Sequence, residues 1–316
     1  MTIQDIVIKI FFISTFLLYG LQTWSKVLII THSYNRPDFI IIQEKTFKKF
    51  MKDEYEFIVF SDAADEEMNN EIINTCAQCN IICIRVPQEI HNRPYLAREP
   101  GDPLNRPNIR HANVVQYSMD ILGFYHNGPV MILDSDMFLI RPFTIVKQLE
   151  EWDIISAMRG ADNDVTYLWP GLMIFSMDKL PNKKYMNFNC GIAHGAIVDS
   201  GGHSYYYLKN NPTVKLKVID ELFGCQLFCP DRFAPDHLID KITPPEQHIT
   251  KLKEMGFNEK EITFLQKKPH TIHFLFNQHF LHYRAGSNYD NQSTSFEQHK
   301  MKLINEFLDD ILNYSC

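Results

Sequence analysis

Lys26 to Thr31 (KVLIIT) is an unbroken apolar run rich in β-branched residues, closed by the polar stretch His32-Ser33-Tyr34-Asn35. That is the pattern of a buried strand running into a loop. Pro37 suits the first position of a helix, and Phe39, Ile42, Thr46, Phe47 and Phe50 then recur at helical spacing. Glu56 to Phe60 (EFIVF) reads as a second strand ending at Ser61-Asp62. A helix through Glu66 to Cys76 and a strand through Ile81 to Val86 follow. This alternation predicts an α/β fold, a mostly parallel central sheet flanked by helices. Residues 87–108 break the pattern with Pro87, Pro94, Pro100, Pro103 and Pro107, and a long irregular connection inside a compact domain is functional or mobile. A helix from Asn108 to about Tyr125, closed by Asn127-Gly128, leads into the strand Val130-Met131-Ile132-Leu133. Further strands are predicted at Ile154–Ala157, Leu172–Ser176, Lys215–Ile219 and Thr271–Phe276.

The N-terminus follows a different rule. Ile6 to Leu21 is almost entirely apolar, interrupted by Lys9, and its densest part, Ile10 to Leu21, matches a signal-peptide core. It is short of the roughly 20 residues a membrane span needs. Residues 1–24 therefore read as a signal peptide or a short uncleaved signal anchor, with an N-terminal core helix or strand as the alternative. The first two readings put the protein in the secretory pathway or cell envelope, exported or membrane-associated through this segment; the third leaves it cytoplasmic. Residues 25–316 are expected to form one domain, since 316 residues are long for one α/β unit and short for two.

Hydrophobic content of 45% with 22% charged residues describes a packed globular chain rather than a disordered one. The net charge of −7 excludes a nucleic-acid partner, because there is no basic excess to displace counterions from phosphates. The 23 Phe and 14 Tyr fit a Phe-rich core and also a ring-lined sugar cleft. Seven cysteines cannot all pair within the chain. Cys76 and Cys79, followed by Cys83, lack the second CxxC or His pair that a zinc site requires, so buried thiols are expected, with disulfides open to an exported chain.

The chemistry gathers at Asp134-Ser135-Asp136. Open parallel sheets bind ligands at the carboxyl ends of their strands, and these two acids follow four apolar residues. Both can reach one hard cation, Mg2+ or Mn2+, which keeps positions open for phosphate oxygens. A nucleotide-diphosphate leaving group develops the negative charge that such a cation stabilises. Near the C-terminus His273 is followed by His282-Tyr283-Arg284-Ala285-Gly286-Ser287-Asn288-Tyr289. His282 is suited to complete the metal shell as a neutral nitrogen donor. Arg284 and the segment Gly286, Ser287 and Asn288 suit phosphate.

These strings resemble a known family. VMILDSDMFLIRPF is similar to the DxD segment of GT-A-fold glycosyltransferases. Trp169-Pro170-Gly171-Leu172-Met173-Ile174-Phe175 resembles the Asn-small-Gly and apolar-strand element of the glycogenin and bacterial galactosyltransferase group, with Trp169 in place of the Asn. HYRAGSNY resembles that group's closing HYxGxxKPW motif, with Ser287-Asn288-Tyr289 in place of Lys-Pro-Trp. The resemblance runs in order over residues 26–290. It implies a single Rossmann-like GT-A domain that moves a hexose from a nucleotide-sugar donor, UDP-linked by preference, to a hydroxyl of a glycan, protein or lipid acceptor, with Mn2+ or Mg2+ as cofactor.

The resemblance also implies roles. Asp136 binds the metal directly, Asp134 contacts the metal or the ribose, and His282 is the third protein ligand. The first loop, Thr31 to Arg36 with Asn35, holds base and ribose. Asp62 is a candidate partner of the base. Arg110 is placed to reach the diphosphate, unless it lies on a solvated helix face. Asp199, before Ser200-Gly201-Gly202, is a catalytic candidate: a general base in an inverting enzyme, a stabiliser of the reacting sugar in a retaining one, or simply a turn acid at a helix N-terminus. Two rivals stand beside this reading. A haloacid-dehalogenase-type phosphatase would use Asp134 as nucleophile, but its motif wants Thr or Val where Phe138 stands, and Asp309-Asp310 falls in a C-terminal helical pattern instead of after a strand. A non-catalytic sugar-nucleotide-binding protein would keep the same ligands.

Overall fold

Each apolar run predicted as a strand forms one, and the order in which the strands assemble creates the site. The protein is described from a computed structural model, which covers residues 26–92, 106–223, 246–254, 256–267 and 272–283, and residues 305, 306, 308, 309, 312 and 313. β1 (Val27–Ser33), β2 (Tyr55–Ser61), β3 (Ile82–Arg85), β4 (Pro129–Asp134), β6 (Ile154–Ala161), β7 (Val165–Ser176) and β10 (Leu216–Val218) make one sheet in the order β10-β6-β7-β4-β1-β2-β3. β7 runs antiparallel to β4 and β6, and every other neighbouring pair is parallel. Strands covered on both faces explain the unbroken apolar runs. Ile29, Val59, Met131 and Ile174 bury one face with Phe47, Phe50 and Ile72. Ile30, Ile58, Ile132 and Met173 bury the other with Val114, Val115 and Met119.

The helices supply those covers. α1 (Pro37–Phe50) starts on its proline and carries Asp38 in its first turn and Lys48 and Lys49 in its last, charges that suit the helix dipole. α2 (Glu66–Gln78) is capped by Asp65, whose carboxylate accepts from the Met68 N–H at 2.8 Å. A single turn, α3 (Glu89–Asn92), occupies part of the proline-rich stretch, whose residues 93–105 lie outside the described residues. α4 (Arg106–Ile121) ends earlier than predicted, and a 3-10 turn at Gly123–Tyr125 takes up the remainder.

β7 begins seven residues before the predicted strand. It carries Trp169-Pro170-Gly171 through its middle because the register against β6 shifts there, between Ser156 and Met158. Proline lacks the N–H of a ladder bond, so an irregularity of this kind is where it fits.

A second sheet was not foreseen beyond one strand. β5 (Met137–Leu139), β11 (Glu221–Phe223), β12 (Ile272–Leu275) and β13 (Phe280–Tyr283) pair antiparallel in the order β11-β12-β13-β5. Phe138, Leu281 and Tyr283 pack with Phe39 of α1 beneath it. β8 (Gly191–Ala193) and β9 (Ala196–Val198) form a separate hairpin that leads to α5 (Ser204–Asn210).

Among the described residues no helix is long and apolar enough to cross a membrane. Residues 1–24, expected to be a signal, and Arg284, Gly286, Ser287 and Asn288, expected at the phosphates, lie outside the described residues. Cys76, Cys79, Cys83 and Cys190 are free thiols, and of these Cys76 and Cys190 are buried.

Candidate metal centre and its surroundings

The chain crosses from β1 outward to β2 and β3 on one side, and then returns to place β4 on the other. Such a reversal opens a crevice at the carboxyl ends of the two central strands. His32 and Asp134 are register partners at that edge. Gln43, fully buried on α1, donates its amide to the carbonyls of Asp134 at 2.9 Å and Met137 at 3.0 Å, and so holds the Asp134-Ser135-Asp136 turn. β5 follows at once and binds β13, with Met137 opposite His282. The Tyr283 N–H also donates to the Asp136 carbonyl at 2.8 Å. His282 is thereby delivered to Asp136, Nε2 to Oδ1 at 3.4 Å. Ligand atoms of Asp134, Asp136 and His282 all lie within 4.8 Å of one another. Two carboxylate oxygens and one imidazole nitrogen are a donor set that fits Mn2+ or Mg2+ and leaves positions for diphosphate oxygens.

Two histidines line the site: His32, within the loop expected at base and ribose, and His111, which no sequence pattern marks out. His111 of α4 places Nε2 at 3.0 Å from Asp134 Oδ1 and Nδ1 at 2.9 Å from the Ser200 hydroxyl. Burial lowers its pKa, but the charge and hydrogen bond of Asp134, with Asp199 and Asp136 beyond, outweigh this and leave it raised. Burial likewise raises Asp134, yet His111 above all, then His282 and His32, hold that carboxyl below its ordinary value. His32 bonds the Ser118 hydroxyl through Nε2 at 2.9 Å. Ser118 spends its own proton on the Val115 carbonyl, so the His32 Nε2 is the donor. Its Nδ1 is left buried with no hydrogen-bond partner among the described residues. Burial, then the charge of His111, push the His32 pKa down to about 3, against the pull of Asp134. The available signal was a histidine ending an apolar strand and another beside Arg110 on the helix before the DxD strand.

Asp62 and Arg110, expected at the base and the diphosphate, meet each other. Arg110 Nε donates to Asp62 Oδ2 at 2.6 Å and Nη2 to Oδ1 at 3.0 Å, while Nη2 also reaches the Asp62 carbonyl at 2.6 Å and Gln88 at 2.9 Å. His91 Nε2 adds a 2.6 Å contact to Asp62 Oδ1. The Arg110 guanidinium lies 4.9 Å from the centroid of the Tyr34 ring. Thr31 is fully buried and donates to the Leu133 carbonyl at 3.0 Å, tying β1 to β4 inside the sheet. Arg36 pairs with Asp38 and covers Phe39 at 3.6 Å, at the start of its own helix, and Asn35 is half-buried beside it.

Asp199 is exposed, and its Oδ1 accepts the Ser200 N–H at 2.7 Å. Ser200, through His111, joins that turn to Asp134. The double glycine is a packing requirement: at Gly201, with φ of +89°, a Cβ would meet the Leu168 carbonyl at 2.1 Å, and at Gly202 it would meet Val198 at 2.2 Å.

No protein-family model and no curated protein matches the chain. Solved structures are similar to it at low identity. Core-mannan synthase A from Aspergillus fumigatus, in its Mn/GDP form, has a TM-score of 0.33 at 11% identity, over 51% of this chain and 61% of its own. This chain therefore spans about three fifths of that enzyme's length. A mannosyltransferase from Pyrobaculum calidifontis, in complex with GDP-Man and Mn2+, has a TM-score of 0.38 at 11% identity, over 81% of this chain and 75% of its own. A galactosyltransferase in complex with donor and acceptor sugar analogues has a TM-score of 0.40 at 13% identity, over 89% of this chain and 95% of its own. Likenesses at these scores leave the chemistry of the chain to be read from its own site, an α/β sheet edge where Asp134, Asp136 and His282 converge.

Proposed function

We propose that this chain is a metal-dependent GT-A glycosyltransferase, moving a hexose from a nucleotide-diphosphate sugar, UDP-linked by preference, to a hydroxyl acceptor. The observation that carries the reading is the convergence of Asp134, Asp136 and His282 at the switch point of the parallel sheet. When bound there, Mn2+ or Mg2+ supplies positive charge to the departing diphosphate. The protein's own groups do the rest. His111, its Nε2 3.0 Å from Asp134 Oδ1, is a hydrogen-bond donor at the same edge. The bare Nδ1 of His32 accepts a hydrogen bond from a donor hydroxyl. The Tyr34 ring, backed by Arg110, offers a flat face to the base. Asp199, beside His111, stands where an acceptor hydroxyl would be held or deprotonated.

The test is release of UDP or GDP from a panel of sugar nucleotides, with and without Mn2+. Asp136→Ala should lose metal-dependent release by at least about a thousandfold, the scale of removing a principal charge stabiliser, while keeping its fold, since the cation is not part of the core. Full activity in excess EDTA, or in Asp136→Ala, refutes the reading. Thermal stabilisation by UDP plus Mn2+ with no release from any sugar nucleotide would make the chain a binding protein instead.

A further inference from the structure

His282 is held from behind as well as facing Asp136. His273 is its direct cross-strand partner in the β12–β13 ladder, so both rings stand on one face of the small sheet, Nδ1 to Nδ1 at 3.2 Å. His273 is 1% exposed. Its Nε2 lies 3.1 Å from Glu221 Oε1 on β11, and the other Glu221 oxygen accepts from Arg159 Nη1 at 2.8 Å. The Arg159 guanidinium lies 4.3 Å from the Trp169 ring centroid, and Trp169 lies 5.3 Å from the His282 ring, centroid to centroid. A Cβ at Gly171 would meet that indole at 2.3 Å, so the glycine makes room for it. Arg159, Glu221, His273, His282 and Trp169 thus form a closed ring of contacts.

Proton positions follow from these neighbours. An ionised carboxylate only accepts, so Glu221, 3.1 Å from His273 Nε2, favours the tautomer with the proton on that nitrogen. A buried neutral imidazole has one proton, which makes His273 Nδ1 an acceptor. His282 Nδ1 must then donate to it, and the lone pair of His282 is left on Nε2, the atom 3.4 Å from Asp136 Oδ1. A lone pair facing a carboxylate oxygen is an arrangement that a cation between them turns favourable.

We propose that His273, steadied by Glu221 and Arg159, is a positioning residue of the cation site: it fixes His282 as the Nδ1–H tautomer and keeps Nε2 presented to the metal. The proposal rests on the metal reading above, and the test separates the two. Mn2+ binding to the full chain, without any donor, is measured by electron paramagnetic resonance of the free ion. Failure of the unaltered protein to bind Mn2+ sinks the metal reading and this proposal with it. If it binds, His273→Phe, which keeps a ring but removes the acceptor, should weaken Mn2+ by about 10–100-fold at an unchanged fold. His273→Asn, whose Oδ1 can stand at the Nδ1 position, should recover most of that loss. Unchanged affinity in His273→Phe, or equal losses in both variants, overturns the proposal, because packing alone would then explain the pair. Nitrogen shifts of labelled histidines in the metal-free protein should show His282 protonated at Nδ1, and an Nε2–H form in the unaltered protein would also overturn it. Should His273→Phe fail to fold, Glu221→Leu takes its place, with a several-fold loss of Mn2+ affinity expected and no loss overturning the idea.

Discussion

Acids close the strands on either side of β1, and the chain treats them in opposite ways. Asp62, after β2, is 5% exposed and saturated from within: a guanidinium grips both its oxygens, and His91 adds a third contact. Asp134 and Asp136, after β4, lie close together and meet imidazoles, His111 and His282, at 3.0 and 3.4 Å. A carboxylate with its own arginine is a finished ion pair. Two carboxylates sharing one pocket repel, and a cation between them would relieve that repulsion. Position at a sheet edge is common to all three acids; what differs is the partner, a guanidinium for Asp62 and imidazoles for Asp134 and Asp136.

Exchanging charges on the two sides tests this most forcefully. Arg110→Met leaves a buried carboxylate without its guanidinium and should cost about 3 kcal/mol in urea unfolding of the metal-free protein. Asp136→Asn removes a like charge and should leave metal-free stability unchanged or raised by up to about 1 kcal/mol. Added Mn2+ should stabilise the Arg110→Met protein and the unaltered one alike, and should do nothing for Asp136→Asn. If Asp136→Asn is the more destabilising change without metal, the contrast between the two ends is wrong.

A second effect, of comparable size, comes with acid. His32 and His273 are held neutral, chiefly by burial, with pKa values pushed down to about 3 and about 4. In the unfolded chain each takes up a proton near pH 6.5, and in the folded chain neither does until far lower pH. The unfolded state therefore binds more protons through this window, so metal-free stability is full above about pH 6.5 and falls as the pH drops toward 4. Each histidine contributes a slope of up to about 1.4 kcal/mol per pH unit. His32→Gln should flatten the curve by about one histidine's share, measured by urea melts from pH 7 to 4.5. An unaltered slope would mean that His32 is charged in the folded protein.

Much of the frame was legible in the chain and much of the pocket was not. KVLIIT, EFIVF and VMIL announced β1, β2 and β4 because strands buried on both faces must be apolar throughout. Asp134 and Asp136 were readable for the same local reason, as acids at a strand end. β5, β11 and β13 have three or four residues each, too few to show a period, yet they carry His282 to its partner. Gln43 and His111 matter through residues distant in the chain, so no local pattern marked them; His273 stood out beside His282, but its contact with Glu221 did not show in the sequence. Asp62 and Arg110 looked like two separate ligand contacts. Charge counting along a sequence cannot reveal that two groups neutralise each other across 48 residues, whereas the side-chain geometry does.

The smallest expected effect concerns the turn that sets the register of His273 against His282. Phe276, Asn277 and Gln278 hold φ of 54°, 50° and 62°, the left-handed region. Asp220 braces them, accepting the Asn277 N–H on both carboxylate oxygens at 3.0 Å and the Phe276 N–H on its carbonyl at 3.0 Å. Asparagine tolerates this conformation and glutamine does not, at about 1 kcal/mol. Gln278→Gly should therefore raise stability by about 0.5 kcal/mol, once the greater freedom of glycine in the unfolded chain is subtracted, while Asn277→Gly should change it by only a few tenths. Neither substitution touches the imidazoles, so Mn2+ affinity should hold in both. A Gln278→Gly protein that is more stable but binds Mn2+ more weakly would show that tension in the turn, and not the hydrogen bond from His282 to His273, keeps the metal-facing ring in place.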